Sequence, residues 1–153
     1  MHLFIKENIN RILLLILISL LLILWGRFIS REINASSGCR ELVTTADRIK
    51  CLKLFGWEAD PGSETYEKIK IPEEFDAVYN EYNKLQLLSG FDLRDYKGKT
   101  AVRYTYLAEN FPYKTDTAAY INVYIYDGKI IAGDCMTPAL AGEMLPLDRR
   151  FLS

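Results

Sequence analysis

The side chains that could carry chemistry in this sequence are carboxylates, tyrosines and cysteines, because histidine is almost absent. The single histidine is His2, at the N-terminus. The rest of the chain therefore lacks the Ser-His-Asp and Cys-His arrangements of nucleophilic catalysis, and it lacks histidine ligands for a metal. From these residues we assign no catalytic group, no metal site and no cofactor.

Carboxylates offer one route to an enzyme. Glu109, Asp116 and Asp134 are expected near the same sheet, and Glu58 could approach them. A glycosidase needs two carboxyl groups at a defined separation in a cleft. Because a small sheet with two helices rarely forms such a cleft, we interpret these carboxylates as solvated surface groups. An envelope hydrolase that uses carboxylates or a Ser-Lys pair stays as the alternative.

Aromatic residues offer a candidate binding surface. The chain has 10 tyrosines, and an exposed aromatic strip on a sheet could bind a glycan or a peptide. The candidate surface consists of Trp57, Tyr104, Tyr106, Tyr120 and Tyr124. The interpretation that we favour is structural: the tyrosines pack between the sheet and the helices, and Trp57 anchors the corner between a helix and a strand.

The cysteines leave two interpretations open. Cys39, Cys51 and Cys135 match no zinc-binding spacing, and an odd number cannot all pair within one chain. We favour buried free thiols and keep a Cys51–Cys135 disulfide as the alternative for an exported domain. Lipidation of Cys39 is a further alternative, although a lipidated cysteine would directly follow an apolar run.

The run from Ile12 to Trp25 carries no charge and predicts a membrane anchor. As a helix it spans about 21 Å, short of the roughly 30 Å hydrocarbon core, but Ile9 to Ile29 would reach about 31 Å. Arg11 and Arg27 near its ends can extend toward the headgroups. We predict an N-terminal tail and single-pass signal-anchor over residues 1–29, with a cleaved secretory signal as the alternative.

The predicted location of the rest of the chain follows from this segment. A short N-terminal tail before a first apolar segment usually stays in the cytoplasm, so the residues after about 30 are expected to be extracytoplasmic. The formal net charge is −1 and no basic block occurs, so nucleic acid is not an expected partner. The expected partners are the membrane and an envelope protein or cell-wall component.

Two helices must position the candidate side chains. The first is capped by Thr44 or Thr45 and ends at Gly56; its apolar stripe is Ala46, Ile49, Leu52 and Phe55. The second begins at Pro72 and ends at Gly90. Its apolar face comprises Phe75, Val78, Tyr79, Tyr82, Leu85 and Gln86.

An antiparallel sheet completes the predicted α+β domain of residues 44–144, after a linker of residues 30–43. The expected strands are Tyr66 to Ile71, Ala101 to Asn110, Thr117 to Tyr126 and Lys129 to Cys135. Asp127-Gly128 predicts a type I′ hairpin that pairs Tyr126 with Lys129. We expect both helices on the sheet face of Ile121, Val123 and Ile125, and residues 145–153 form an unassigned C-terminal tail.

Several short motifs follow one another along the chain. They include Phe55-Gly56-Trp57-Glu58, Ile71-Pro72-Glu73-Glu74-Phe75, Tyr82-Asn83-Lys84-Leu85-Gln86, Gly90-Phe91-Asp92-Leu93, Tyr96-Lys97-Gly98-Lys99, Arg103-Tyr104-Thr105-Tyr106 and Tyr124-Ile125-Tyr126-Asp127-Gly128-Lys129. In this order the set resembles a bacterial domain-of-unknown-function family, the one numbered forty-eight thirty, over about residues 45 to 144. The resemblance implies a small exported protein with an N-terminal membrane or signal segment, and it implies no activity and no catalytic residues.

Overall fold

A computed structural model describes residues 15–24, 39–114, 116–138 and 142–152. The chain divides into two compact units, Met1–Ser37 and Gly38–Ser153. In the first unit, residues 15–24 form helix α1. The predicted anchor, Ile12 to Trp25, extends beyond the described residues at both ends. Within the described ranges, no helix has the length and apolar character needed to cross a membrane.

The second unit is an α+β domain built on a five-stranded antiparallel sheet whose strands are adjacent in chain order. The strands are β1 (Thr65–Lys70), β2 (Thr100–Leu107), β3 (Tyr120–Tyr126), β4 (Lys129–Met136) and β5 (Met144–Pro146). The predicted class and the four predicted strands are confirmed. The fifth strand lies in the segment that the sequence left unassigned.

The β3–β4 hairpin has the predicted register. Tyr126 pairs with Lys129, and Ile125 pairs with Ile130. Asp127 and Gly128 have φ angles of +48° and +69°, as a type I′ turn requires at both central positions. A β-bulge follows Tyr124 and shifts the pairing of the remaining residues by one.

Helix α2 (Thr45–Leu54) begins with a capping box. The Asp47 N–H donates to the Thr44 hydroxyl at 3.2 Å, and the Thr44 N–H donates to the Asp47 carboxylate at 2.9 Å. The helix ends before Gly56, whose φ of +89° is a left-handed conformation that glycine adopts without the steric cost of a Cβ.

The buried side of α2 agrees with the predicted stripe in part. Leu52 and Phe55 are buried and Ile49 is half-buried, whereas Ala46 is exposed and Arg48 and Cys51 are buried instead. A charged residue, Arg48, therefore occupies a core position on this helix.

Helix α3 (Ala77–Leu88) starts later than predicted, because Asp76 rather than Pro72 provides its N-terminus. The Asp76 carboxylate accepts the Tyr79 N–H at 2.7 Å, which satisfies a donor that the helix leaves free. Tyr79 and Tyr82 are half-buried, as predicted, whereas Val78 is 77% exposed and lies outside the packed face.

The sheet is covered on both faces, so the prediction that one face meets both helices is wrong. Ile121, Val123 and Ile125 form one core cluster with Cys51, Leu52 and Phe55 of the α2 region. Tyr124, Ile131 and Ala132 form the other cluster, against which Phe75, Tyr79 and Tyr82 pack. Because neighbouring strand residues point to opposite faces, α2 and α3 cover opposite sides of the sheet.

The C-terminal segment belongs to the domain. After β5, Leu147 is fully buried and its carbonyl accepts the Trp57 indole N–H at 2.5 Å. A short 3₁₀ helix follows at Arg149–Phe151. A Cβ on Gly133 of β4 would lie 2.8 Å from Leu147 Cδ2, so this segment packs directly on the sheet backbone.

Candidate ligand-binding groove

A groove of about 570 Å³ lies where α2 ends and the chain turns toward the sheet. Its lining residues are Ile49, Lys53, Gly56, Trp57, Glu58, Ala59, Pro61 and Glu109. Its apolar lining residues are the exposed Pro61, the half-buried Ile49 and the buried Ala59 and Trp57, and Lys53, Glu58 and Glu109 supply exposed charges. A concave apolar surface with a few charged groups is the usual composition of a ligand site.

The floor of the groove is held by Trp57. This residue is fully buried, and the Arg149 guanidinium lies 4.9 Å from its ring centroid. Arg149 also donates to the Gly56 carbonyl at 3.0 Å. The left-handed Gly56 and these contacts together fix the corner at which Glu58 lies.

The two groove carboxylates are held at opposing positions by backbone pairing. Ala59 and Ala108 form an antiparallel bridge, and one position further the Glu109 N–H donates to the Glu58 carbonyl at 2.9 Å. Asn110 closes this corner, because its side chain accepts the Glu58 N–H and donates to the Gly56 carbonyl, both at 3.0 Å. This backbone pairing therefore places Glu58 and Glu109 side by side in the lining of the groove.

The predicted aromatic surface does not exist as an exposed strip. Trp57 and Tyr106 are fully buried and Tyr124 is 8% exposed. Tyr104 is half-buried, while Tyr120 is 37% exposed. Tyr104 and Tyr106 share a face with the Ile121 cluster, and Tyr124 points to the other face, so these rings pack against both helix layers. The structural interpretation of the aromatic residues applies to most of this set.

The other candidate carboxylates lie apart from the groove. Asp116 is exposed and is not among its lining residues. Asp134 is 1% exposed and accepts the Tyr82 hydroxyl at 2.6 Å and an Asn122 amide N–H at 2.8 Å. Burial raises the pKa of Asp134 against the lowering effect of these two hydrogen bonds. Its interpretation as a solvated surface group is therefore wrong.

The cysteines pair differently from the predicted alternative. Cys39 is disulfide-bonded to Cys51, with their Cα atoms 5.1 Å apart, and Cys135 is a buried free thiol. The Cys51–Cys135 pairing is therefore wrong, because the Cys51 sulfur is bonded to Cys39, and the favoured interpretation of buried free thiols is correct for Cys135 alone. Burial raises the pKa of the Cys135 thiol to about 12.

A buried polar cluster was missed by sequence reasoning. Arg48 is 4% exposed, forms an ion pair with Glu64 at 2.9 Å and donates to the Tyr106 hydroxyl at 2.8 Å. The Tyr106 hydroxyl in turn donates to Glu64. The Arg48 guanidinium also lies 3.8 Å from the Tyr104 ring centroid, and its Nη1 donates to the Val43 carbonyl at 2.9 Å.

The charges of this cluster are fixed by its hydrogen bonds. Burial acts to raise the pKa of Glu64, but hydrogen bonds from Tyr106 and Arg48 hold it below its usual value. Burial and the hydrogen bond to Glu64 raise the pKa of Tyr106. A sequence signal was present, because Arg48 precedes Cys51 and Leu52 by three and four positions, which is the spacing of one helix face.

The described residues contain no group of three or more histidine, cysteine, aspartate or glutamate side chains that could hold a metal ion. The groove also contains the cation Lys53 beside the carboxylates of Glu58 and Glu109. The arrangement can therefore bind a ligand through apolar contact and charges of both signs.

Comparison with known proteins identifies the domain. No curated protein and no solved structure matches the chain. The family described as Domain of unknown function (DUF4830) matches residues 51–135, which is more than half of the sequence. The match begins at the disulfide-bonded Cys51, includes Trp57 and both groove carboxylates, and ends at Cys135. The resemblance seen in the motifs is therefore confirmed, and the chain belongs to this family of unknown function.

Proposed function

We propose that this chain is a single-pass, membrane-anchored protein whose second unit is an extracytoplasmic binding module of the cell envelope. The observation that carries the proposal is the Cys39–Cys51 disulfide. Disulfides persist in oxidising compartments outside the cytoplasm and are rare inside it. A disulfide at the start of the domain therefore supports an exported location.

The apolar run from Ile12 to Trp25 supports the anchor. No charged residue interrupts it, and the residues that follow, Gly26 to Arg31, are mostly bulky or charged. Signal peptidase requires small residues shortly after the apolar core, so a retained signal-anchor is the better interpretation. A cleaved secretory signal would leave the same exported domain without its membrane attachment.

The groove supports binding over catalysis. Glu58 and Glu109 are both exposed, whereas a glycosidase general acid keeps its proton at neutral pH through an apolar environment. An apolar floor with Lys53 and two carboxylates suits a segment of an envelope protein or a cell-wall component. Contact with such a ligand needs no reacting group.

The location is tested by labelling a Val78→Cys variant in intact cells with a membrane-impermeant maleimide. Val78 is 77% exposed on α3, so the new thiol is accessible, while Cys135 is buried and the other two cysteines are bonded. We expect labelling before lysis and retention of the protein in the membrane fraction. Labelling that occurs only after lysis would place the domain in the cytoplasm and overturn the proposal. The unsubstituted chain provides the background.

The binding role is tested by capture from detergent-solubilised envelope extracts with the full-length chain. We expect Ile49→Asp combined with Lys53→Glu, which alters the groove, to lose the captured component. Val78→Asp is the matched control, because it adds a charge to an exposed site outside the groove. Equal capture by the groove variant, or capture of nothing by any variant, would contradict the proposal.

A second candidate function is hydrolysis of envelope material by Glu58 and Glu109. The observation in its favour is that both line one groove. Purified cell wall incubated with the unsubstituted chain should release no soluble fragments if the groove only binds. Release that is abolished by both Glu58→Gln and Glu109→Gln would replace the binding proposal with a hydrolase.

A further inference from the structure

We propose that the groove binds an extended polypeptide segment that carries a basic residue. The segment lies as an added strand along residues 58–60, which we call the groove strand. The inference rests on the proposed binding role of the groove and adds to it the chemical class of the partner. All the residues that carry it belong to the unit Gly38–Ser153.

The groove strand leaves one pair of backbone groups unused. The Glu109 N–H donates to the Glu58 carbonyl at 2.9 Å, and on the other side of Ala59 the Asp60 N–H donates to the Leu107 carbonyl at 3.0 Å. Because hydrogen bonds alternate along an antiparallel pair, the N–H and the carbonyl of Ala59 both point away from the chain that continues β2. Neither group has a hydrogen-bond partner in the described part of the chain. Ala59 thus offers one donor and one acceptor to a further strand.

This free edge faces helix α2 across the groove. The Trp57 N–H lies two residues earlier, on the same side of the strand, and it donates to the Leu52 carbonyl at the end of α2 at 3.0 Å. Ile49 and Lys53 of the same helix line the groove together with Ala59. A polypeptide between α2 and the groove strand therefore bonds to Ala59 on one side and contacts Ile49 on the other. Strand addition of this kind takes its affinity from backbone hydrogen bonds and its selectivity from alternate side chains.

The charge beside the free edge selects a basic side chain. The backbone pairing puts Glu58 directly opposite Glu109, where like charges destabilise a strand pair. Both side chains are exposed, and neither forms an ion pair with any described residue. A lysine or arginine of the partner, next to the residue that faces Ala59, relieves this repulsion.

The cations near the groove do not neutralise this pair. Arg149 donates to the Gly56 carbonyl at 3.0 Å and lies over the indole ring of the groove floor. Arg150 is paired with Asp148. Lys53 lies on α2 and forms no ion pair with either glutamate. The groove therefore sets one lysine against two carboxylates, which favours a partner with positive charge.

The first test probes an array of short random-sequence peptides, blocked at both ends, with the full-length chain in detergent micelles. The chain carries a fluorophore at Val78→Cys, which is exposed and outside the groove. We expect the bound peptides to be enriched in lysine and arginine and depleted in proline, because proline lacks the backbone donor of a strand. Equal binding of basic, acidic and proline-containing peptides overturns the inference.

A charge variant assigns the basic preference to the two glutamates. Glu58→Gln combined with Glu109→Gln should abolish the preference for basic over acidic peptides. Glu73→Gln combined with Glu74→Gln removes the same charge from exposed positions outside the groove and should leave the preference unchanged. A preference that persists in the first variant contradicts the charge contact.

A backbone variant assigns the binding to the free edge. Ala59→Pro removes the outward N–H and keeps every hydrogen bond to β2, as proline does on edge strands. We expect it to bind the best peptide of the array about tenfold more weakly or less. Lys68→Pro is the matched control, because the inward Ile71 N–H, which donates to the Lys99 carbonyl, puts the Lys68 N–H on the outer edge of β1. Equal binding by the two variants overturns the inference.

Hydrogen exchange provides a measurement that needs no substitution, and it decides the matter if Ala59→Pro does not fold. Saturating the unsubstituted chain with the best peptide should slow exchange of the Ala59 amide by about tenfold or more and leave the Lys68 amide unchanged. Unchanged exchange at Ala59 while the peptide is bound overturns strand addition.

Capture from envelope extracts separates this inference from the proposed function. If Ile49→Asp with Lys53→Glu loses the captured component while a folded Ala59→Pro variant retains it, the groove binds without strand addition and only this inference fails. If neither variant loses the component, the binding role of the groove fails as well.

Discussion

Arg48 is the residue on which the buried polar cluster depends. Its guanidinium joins Glu64, Tyr106 and two backbone carbonyls, while its flat face covers Tyr104. A buried charge is tolerated only when such partners replace water. Removing the arginine leaves a carboxylate and a hydroxyl that were arranged for a cation.

We therefore predict that Arg48→Met lowers the free energy of unfolding by about 2–4 kcal/mol. We expect the loss to lie toward the lower end of that range, because the Glu64 side chain is 20% exposed and its carboxylate can be hydrated when Arg48 is removed. Urea unfolding followed by fluorescence measures the loss. Lys50→Met, on the exposed side of the same helix, should change stability by less than about 0.5 kcal/mol. Equal effects of the two substitutions would contradict the role of the cluster.

Asp134 is a buried carboxyl whose contribution to stability changes with pH in the opposite direction to that of a salt-bridged acid. Because burial raises its pKa in the folded state, the folded chain holds this proton over a pH range where the unfolded chain has lost it. Stability contributed by this group is therefore present at low pH and falls as pH rises above the unfolded value.

We predict that Asp134→Asn removes this dependence. The variant should gain stability relative to the unsubstituted chain as pH rises from about 4 to 7, since asparagine is neutral throughout. Urea unfolding of both chains at several pH values gives the difference and cancels the titration of other groups. A difference that shrinks with rising pH would show that the carboxylate form is the stabilised one.

At the scale of elements, the disulfide ties the segment before α2 to the helix itself. It closes a loop with a sequence separation of 12. We predict that Cys39→Ser with Cys51→Ser lowers the free energy of unfolding by roughly 3 kcal/mol, because the unfolded chain regains the freedom of that loop. Thermal unfolding with and without reductant checks the value. Reductant should lower the melting temperature of the unsubstituted chain and leave the variant unchanged.

The contact between β4 and the C-terminal segment leaves no room for a side chain on Gly133. A Cβ there would lie 2.8 Å from Leu147 Cδ2 and 2.9 Å from the Asn122 carbonyl oxygen. We predict that Gly133→Ala destabilises the domain by about 1–3 kcal/mol through overpacking. Gly133→Ala combined with Leu147→Ala should cost less than the sum of the single substitutions, because the truncated leucine opens space. Strict additivity of the two unfolding free energies would contradict this packing.

Local rules predicted the elements that are specified by neighbouring residues. The Asp127-Gly128 turn fixed a hairpin register, and Gly56 ended α2 where its conformation requires glycine. The groove and the partners of Arg48 depend on contacts between residues far apart in the chain, such as Arg48 with Tyr106. The helical spacing of Arg48, Cys51 and Leu52 indicates a shared face, but it does not indicate which residues Arg48 contacts. The sequence also did not predict that both sheet faces are covered, because the alternation of residues identifies the two faces but not what packs on each.

At the scale of the whole molecule, the folding unit is larger than the segment shared with the family. That segment, residues 51–135, excludes Cys39, Arg48 and Leu147. Each of these completes a buried contact with a residue inside the segment: Cys51, Tyr106 and Trp57 respectively. The shared segment alone would expose the Trp57 side of the core.

We predict that a fragment of residues 51–135 does not unfold cooperatively, whereas a fragment of residues 39–153 does. Circular dichroism during urea titration distinguishes a sigmoidal transition from a gradual one. A cooperative transition in the shorter fragment would show that the flanking residues are accessory to the fold.

The outer edge of β1 influences whether copies of this protein can pair edge to edge when they are crowded side by side. A two-fold antiparallel pairing of this strand with a second copy keeps the sheet faces aligned, which places one residue opposite its own copy. If Glu67 or Lys68 is the central residue, its charge lies directly opposite the same charge of the second copy. If Ile69 is the central residue, Lys68 of one copy lies opposite Lys70 of the other. Charge repulsion therefore disfavours these three registers, in which β1 would join neighbouring molecules into one continuous sheet.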